Sequence, residues 1–169
     1  MNDASPILLL RGYRPEDAEA IAAIYAHYVR TSVCTFDFEP PPASAMAAKF
    51  EAMVSKGHPV VIGEIGGKVA GYSYASDYRA RPGYRFTCED SIYLDPEMTG
   101  KGYGAVLLGE LIERARAFGF KQMIAVIAGG IEGSVRLHER FGFKTLGVFP
   151  RLGHKFDRWI DIVHMQREL

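Results

Sequence analysis

Between residues 99 and 105 the chain reads Thr99-Gly100-Lys101-Gly102-Tyr103-Gly104-Ala105, and three glycines within five positions let the backbone approach a ligand with its N–H groups exposed. Such a turn suits an anion. A helix beginning near Gly102 adds free N–H groups and a positive dipole end, which makes phosphate the natural guest, and Lys101 can add a charge. Three phosphate ligands compete for this turn. A nucleotide P-loop requires a Gly-Lys-Ser/Thr ending, which the run lacks. The dinucleotide fingerprint is met by Gly100, Gly102 and Ala105, but residues 95–99 separate the turn from the preceding strand, and the remaining chain is too short for a second mononucleotide half. The third candidate is the pyrophosphate of coenzyme A.

The rest of the sequence must supply elements that hold this turn in place. With 169 residues, 48% hydrophobic content and twenty acids against twenty bases, the composition is that of one soluble globular domain spanning residues 1–169. The closest basic cluster, Arg79, Arg81 and Arg85, is too short for a nucleic-acid stripe and reads as a loop or pocket wall. No segment has the length of a bilayer span, and the start of the chain lacks the pattern of a targeting peptide, so no membrane partner is expected and the cytoplasm is the default. Cys34 and Cys88 have no metal-ligand spacing and fit a reducing compartment as small buried hydrophobes. His27, His58, His154 and His164 also lack such spacing, and no metal is expected.

Hydrophobic periodicity predicts strands over 7–13, 60–65, 68–76, 85–94, 123–128, 143–149 and 159–166, and helices beginning near Pro15 and over 44–56, 102–118 and 132–141. Gly66-Gly67 is the strongest hairpin signal, Gly119 and Gly142 close the last two helices, and Pro40 to Pro42 break the chain before the second helix. Strands at both ends around a central β-α-β unit predict a mixed sheet with helices on its faces. In the strand of residues 85–94, Phe86, Cys88, Ile92 and Leu94 alternate with Thr87, Glu89, Ser91 and Tyr93, while Asp90 is expected to face away from Glu89.

Three stretches carry a resemblance: Glu89-Asp90-Ser91-Ile92-Tyr93-Leu94-Asp95-Pro96, the turn from Thr99 to Gly104, and Ser134-Val135-Arg136-Leu137-His138-Glu139-Arg140-Phe141-Gly142-Phe143. Together they resemble the GNAT superfamily of N-acetyltransferases over nearly the whole chain. Tyr78-Arg79-Ala80-Arg81-Pro82 and Lys155-Phe156-Asp157-Arg158-Trp159-Ile160-Asp161 are similar to its phosphinothricin and methionine sulfone acetyltransferase branch. The resemblance implies an α/β (α+β) fold with a mixed, mostly antiparallel sheet of about seven strands flanked by about four helices. It also implies acetyl-CoA as donor, a small amino acid as acceptor and a homodimer.

By the same resemblance, the backbone of Ile92, Tyr93 and Leu94 pairs with the pantetheine arm, and Thr99, Gly100, Lys101, Gly102, Tyr103, Gly104, Ala105 and Ser134 surround the cofactor. Thr99 and Ile131 depart from the family pattern, Thr99 standing for Gln or Arg and Ile131 for Asn, so each removes a polar side chain near the cofactor and implies weaker or altered contacts to it. Glu89 matches the family's catalytic glutamate, although a pairing with Arg79, Arg81 or Arg85 is the structural alternative. His138 stands where many relatives carry a tyrosine acid; imidazole can donate a proton near neutral pH or be purely structural. An amide near Tyr93 or Leu94 is expected to stabilise an oxyanion. Arg79 or Arg81 can hold the acceptor's carboxylate with a guanidinium fork, and Thr87 and Lys155 complete the expected acceptor site with Phe36 and Tyr28 as walls. Tyr84 can wall the same pocket, although aromatics such as Tyr28, Phe36 and Tyr84 are more often core, and Phe156 and Trp159, with Lys155, shape the pocket or a subunit contact. A protein-directed acetyltransferase and a non-catalytic CoA-binding module are the competing functions.

Overall fold

The computed structural model describes residues 6–169, so the reading of the chain's start falls partly outside the described residues. Seven strands form one sheet in the order β1-β2-β3-β4-β5-β7-β6. These are β1 (Leu9–Arg11), β2 (Val60–Ile65), β3 (Lys68–Asp77), β4 (Thr87–Leu94), β5 (Gln122–Ala128), β6 (Lys144–Lys155) and β7 (Arg158–Glu168). Every neighbouring pair is antiparallel except β4 and β5, which run parallel. The expected mixed, mostly antiparallel sheet is therefore present.

Four α-helices cover the two faces of the sheet: α1 (Ala18–Thr31), α2 (Ala43–Ser55), α3 (Tyr103–Phe118) and α4 (Glu132–Arg140). Strand alternation separates the core into two layers, as Val61 packs with Leu107, Leu111 and Met123 on the α3 side, while Val60 and Ile62 pack with Ile21, Ile24 and Phe50 on the α1 and α2 side. Gly119 closes α3 in the left-handed conformation at φ 111°, as its position predicts.

Several boundaries differ from the periodicity. The first strand is only Leu9–Arg11, because Pro15 starts a 3-10 turn and Arg11 is drawn into ion pairs with Asp17 and Glu64. The strand expected from residue 85 starts at Thr87, since Pro82–Tyr84 forms another 3-10 turn. The final hairpin is longer than its apolar residues suggest. Its turn is Phe156-Asp157, both at positive φ (51° and 54°), a pair that carries none of the usual glycine or asparagine signal.

Candidate active site

The parallel pair β4 and β5 is in register only from Thr87↔Gln122 to Glu89↔Ile124, after which the strands separate. A cavity of about 260 Å³ opens in that wedge, lined among others by Cys34, Phe36, Glu89, Asp90, Ile92 and His138. The backbone groups facing the wedge follow from the ladder on the other side of β4. Asp95 N–H donates to Ala70 O at 2.9 Å and Tyr78 N–H to Thr87 O at 3.2 Å, with unbroken register between them. Alternation in an antiparallel pair then turns the N–H and C=O groups of Glu89, Ser91 and Tyr93 toward β3, and those of Asp90, Ile92 and Leu94 toward the wedge.

This ladder corrects two expectations. The Tyr93 backbone is committed to β3, so the backbone groups on the wedge side are those of Ile92 and Leu94. Tyr28 is not a pocket wall, because its hydroxyl donates to the Leu94 carbonyl at 2.7 Å and its ring packs against Tyr93. That bond leaves the Leu94 N–H facing the wedge with its carbonyl already satisfied.

Below β4 the glycine turn has the geometry an anion needs. Gly100 and Gly102 sit at φ 74° and 85°, where a Cβ is strained, and Gly102 is the residue preceding α3. Among the described residues the N–H groups of Gly102, Tyr103 and Gly104 have no acceptor, whereas Ala105 N–H is already bonded to Gly102 O at 3.0 Å. Gly104 also admits Leu137 of α4, 3.4 Å from where its Cβ would lie. The Thr99 hydroxyl caps the Pro96 carbonyl at 2.9 Å, and the Tyr103 hydroxyl donates to Pro6 O, so both side chains brace the turn. Lys101 is exposed and near Met98. A pyrophosphate fits these free amides by the chemistry of the donors alone.

Glu89 lines the cavity and forms no ion pair among the described residues, which removes the expected structural alternative of a partner arginine. Burial, and then the charge of Asp90, raise its carboxyl above the ordinary range, with Arg79 acting weakly against them. Arg79 stacks on Tyr78, while Arg81 and Tyr84 lie exposed on the same loop, and none of the three lines the cavity. Thr87 begins β4 outside the cavity, bound through its carbonyl to Tyr78.

Lys155 is placed differently from the expectation that it touches an acceptor. It is 2% exposed, and its ammonium donates to Ser32 O at 2.8 Å and Thr35 O at 2.7 Å, which pins the loop after α1. The Tyr25 hydroxyl holds the same loop through Thr35 and Asp37. This loop carries Cys34, Thr35 and Phe36 into the cavity wall, and Phe36 lies so close over Gly153 that a Cβ there would overlap its ring. Phe156 and Trp159 are exposed at the hairpin end.

His138 is 4% exposed on α4, with Nδ1 2.7 Å from Ser134 O and Nε2 2.9 Å from Asp90 Oδ2. Ser134 and Ile131 line the cavity beside it. Asp90 does point away from Glu89 along the strand, but it reaches the cavity from the α4 side, and sequence reading gave it no role. The signal was a single acid on the otherwise apolar row of Phe86, Cys88, Ile92 and Leu94, which requires a buried partner.

A splayed parallel strand pair, an anion turn at the start of the next helix and an unpaired acid between them are the parts of an acyl-transfer site. The acetyltransferase (GNAT) family model matches residues 21–143, and the chain belongs to that family. It is 44% identical over 161 residues to phosphinothricin N-acetyltransferase of Alcaligenes faecalis, covering 95% of this chain and 82% of that protein. It is 38% identical over 154 residues to an L-methionine sulfoximine/L-methionine sulfone acetyltransferase of Pseudomonas paraeruginosa, covering 90% of each. Among solved structures, a GNAT superfamily phosphinothricin acetyltransferase from Sinorhizobium meliloti in complex with acetyl-CoA superposes with TM-score 0.93 at 44% identity, covering 96% of this chain and 88% of that one.

Proposed function

We propose that the chain transfers an acetyl group from acetyl-CoA to the α-amino group of a small amino acid or analogue, with phosphinothricin, methionine sulfone and methionine sulfoximine as the acceptor class. The observation that carries this reading is the unpaired Glu89 carboxyl in the β4/β5 wedge, beside the Ile92 and Leu94 amides. The amides of Gly102 to Gly104 hold the pyrophosphate, and the Ile92 backbone with the Leu94 N–H holds the pantetheine arm. Acetyl-CoA supplies an activated acyl carbon and a thiolate leaving group.

The chain's residues do the rest. Glu89 removes a proton from the acceptor ammonium, directly or through water, so that the neutral amine attacks without an acyl-enzyme. The Leu94 or Ile92 N–H stabilises negative charge developing on the acyl oxygen, and His138 returns a proton to sulfur. Arg79 or Arg81, at the loop beside Glu89, holds the acceptor carboxylate. Phe36 walls the acceptor side, in a loop fixed by Lys155. A reducing compartment such as the cytoplasm suits the unpaired Cys34 and Cys88, which persist there as thiols.

Glu89→Gln tests the base. It should keep acetyl-CoA affinity by calorimetry and lower kcat at neutral pH by about 10²-fold. Because the Glu89 carboxyl is raised, its base form is lost as pH falls through that raised value, so the wild-type acid limb lies above the ordinary carboxylate range and disappears in the variant. An unchanged rate and limb would remove Glu89 as base.

A further inference from the structure

The cavity holds a second acid for which the reaction above has no use. Asp90 has a side chain only 2% exposed, with Oδ2 2.9 Å from His138 Nε2. Its Oδ1 is buried without a hydrogen-bond partner among the described residues, and the residue lines the cavity. The other face of the imidazole is equally constrained. Ser134 O, 2.7 Å from Nδ1, is a carbonyl and can only accept, so Nδ1 carries a proton. The Nε2 to Oδ2 contact then needs one more proton between them. With Asp90 ionised, that proton lies on Nε2 and the ring is an imidazolium.

We propose that Asp90 is the positioning residue for His138, fixing the ring by its second nitrogen and keeping it doubly protonated as the acid for the departing thiolate. The proposal rests on the acid role given to His138 above. The proton balance closes. The acceptor ammonium loses two protons through Glu89, one of which leaves to solvent. For transfer the Nε2 proton leaves its hydrogen bond to Asp90 Oδ2 for sulfur, forming the S–H bond, and the ring is left neutral with Nδ1–H still bound to Ser134. The second proton from the amine restores it, and Asp90 remains a carboxylate throughout. The other carboxylate oxygen, Oδ1, is buried beside this pairing without a hydrogen-bond partner among the described residues.

The surroundings leave Asp90 as the group that sets the charge of this ring. From β4, Cys88 and Glu89 flank Asp90; the Cys88 thiol is pushed up by burial and then by Asp90, and stays neutral. From the loop after α1, Cys34 is likewise raised by burial and neutral. From α4 comes Ser134, and Phe143 packs edge-on at 4.9 Å. Burial opposes the charged imidazole, but the hydrogen bond and charge of Asp90, with the Ser134 carbonyl, outweigh it and raise His138 above the ordinary histidine range.

Nitrogen and carbon NMR of His138 in the ligand-free wild-type protein tests the pairing without turnover. Its midpoint should lie above that of ordinary histidine. In Asp90→Asn the midpoint should fall, and the alkaline limb of kcat should move to lower pH by the same amount, with KM for acetyl-CoA unchanged. Adding Asp90→Asn to His138→Asn should produce no further loss of kcat. A wild-type midpoint at or below the ordinary value overturns the proposal, and this holds even where Asp90→Asn fails to fold. So does an Asp90→Asn enzyme with the wild-type alkaline limb. Lack of turnover with every amino acid, despite a raised His138 midpoint, would strike the acetyltransfer reading and the acid role together, while leaving the Asp90 pairing in place.

Discussion

At the scale of single residues, chemistry follows from what each polar side chain lacks or has. Glu89 has no partner and is raised by burial, so it takes up protons readily; Lys155 has two carbonyl partners and no access to an acceptor. Lys155→Met should therefore act through the loop it holds. Losing its hydrogen bonds to two carbonyls costs about 2 kcal/mol, read as a lower Tm, and the freed Phe36 should raise KM for the acceptor more than for acetyl-CoA. A variant with unchanged Tm would contradict the bracing role. The place of Glu89 in the cavity wall was legible in the sequence because its strand leads into the glycine turn. Lys155 was misplaced because its burial depends on a loop some 120 positions away in the chain, which local patterning does not register. Asp90 was overlooked for a related reason: alternation gave its direction along the strand but not the histidine that meets it.

At the scale of elements, the site is made where regular pairing stops. The β4/β5 ladder ends at Glu89↔Ile124, and only beyond that point do the Ile92 and Leu94 amides become available. Sequence periodicity locates both strands but carries no information on where they part, which is why Tyr93 could not be separated from its neighbours. The conformation of the glycine turn, by contrast, was legible, since only a left-handed backbone demands glycine at 100 and 102. Gly102→Ala should cost about 1–2 kcal/mol of local strain and misdirect the first N–H groups of α3. Its expected result is weaker acetyl-CoA binding by calorimetry, with KM for the acceptor little changed. Wild-type affinity in this variant would argue against amide capture of the pyrophosphate. The final hairpin was underestimated because its Phe156-Asp157 turn lacks the usual turn residues and its strands alternate with exposed apolar side chains.

At the scale of the whole molecule, those exposed side chains have a consequence. Leu146, Val148, Phe149, Leu152 and Trp159 are all more than two-fifths exposed on β6 and β7, at the open edge of the sheet. Exposed apolar side chains of this kind on and beside an edge strand suit a second copy of the chain, in line with the homodimer implied by the resemblance. Light scattering should give twice the mass of 18.7 kDa, and Leu152→Glu with Trp159→Glu should reduce it to one. A wild-type monomer would refute the dimer. Across the described residues no helix is long and apolar enough to cross a membrane, and no cluster of His, Cys, Asp and Glu is suited to a metal.

Thiol release from acetyl-CoA, measured over a panel of free amino acids, analogues and peptides, tests the central claim most directly. The account predicts turnover with phosphinothricin, methionine sulfone or methionine sulfoximine, and little with peptides. Measurable acetyl-CoA binding without turnover of any free amino acid would contradict it.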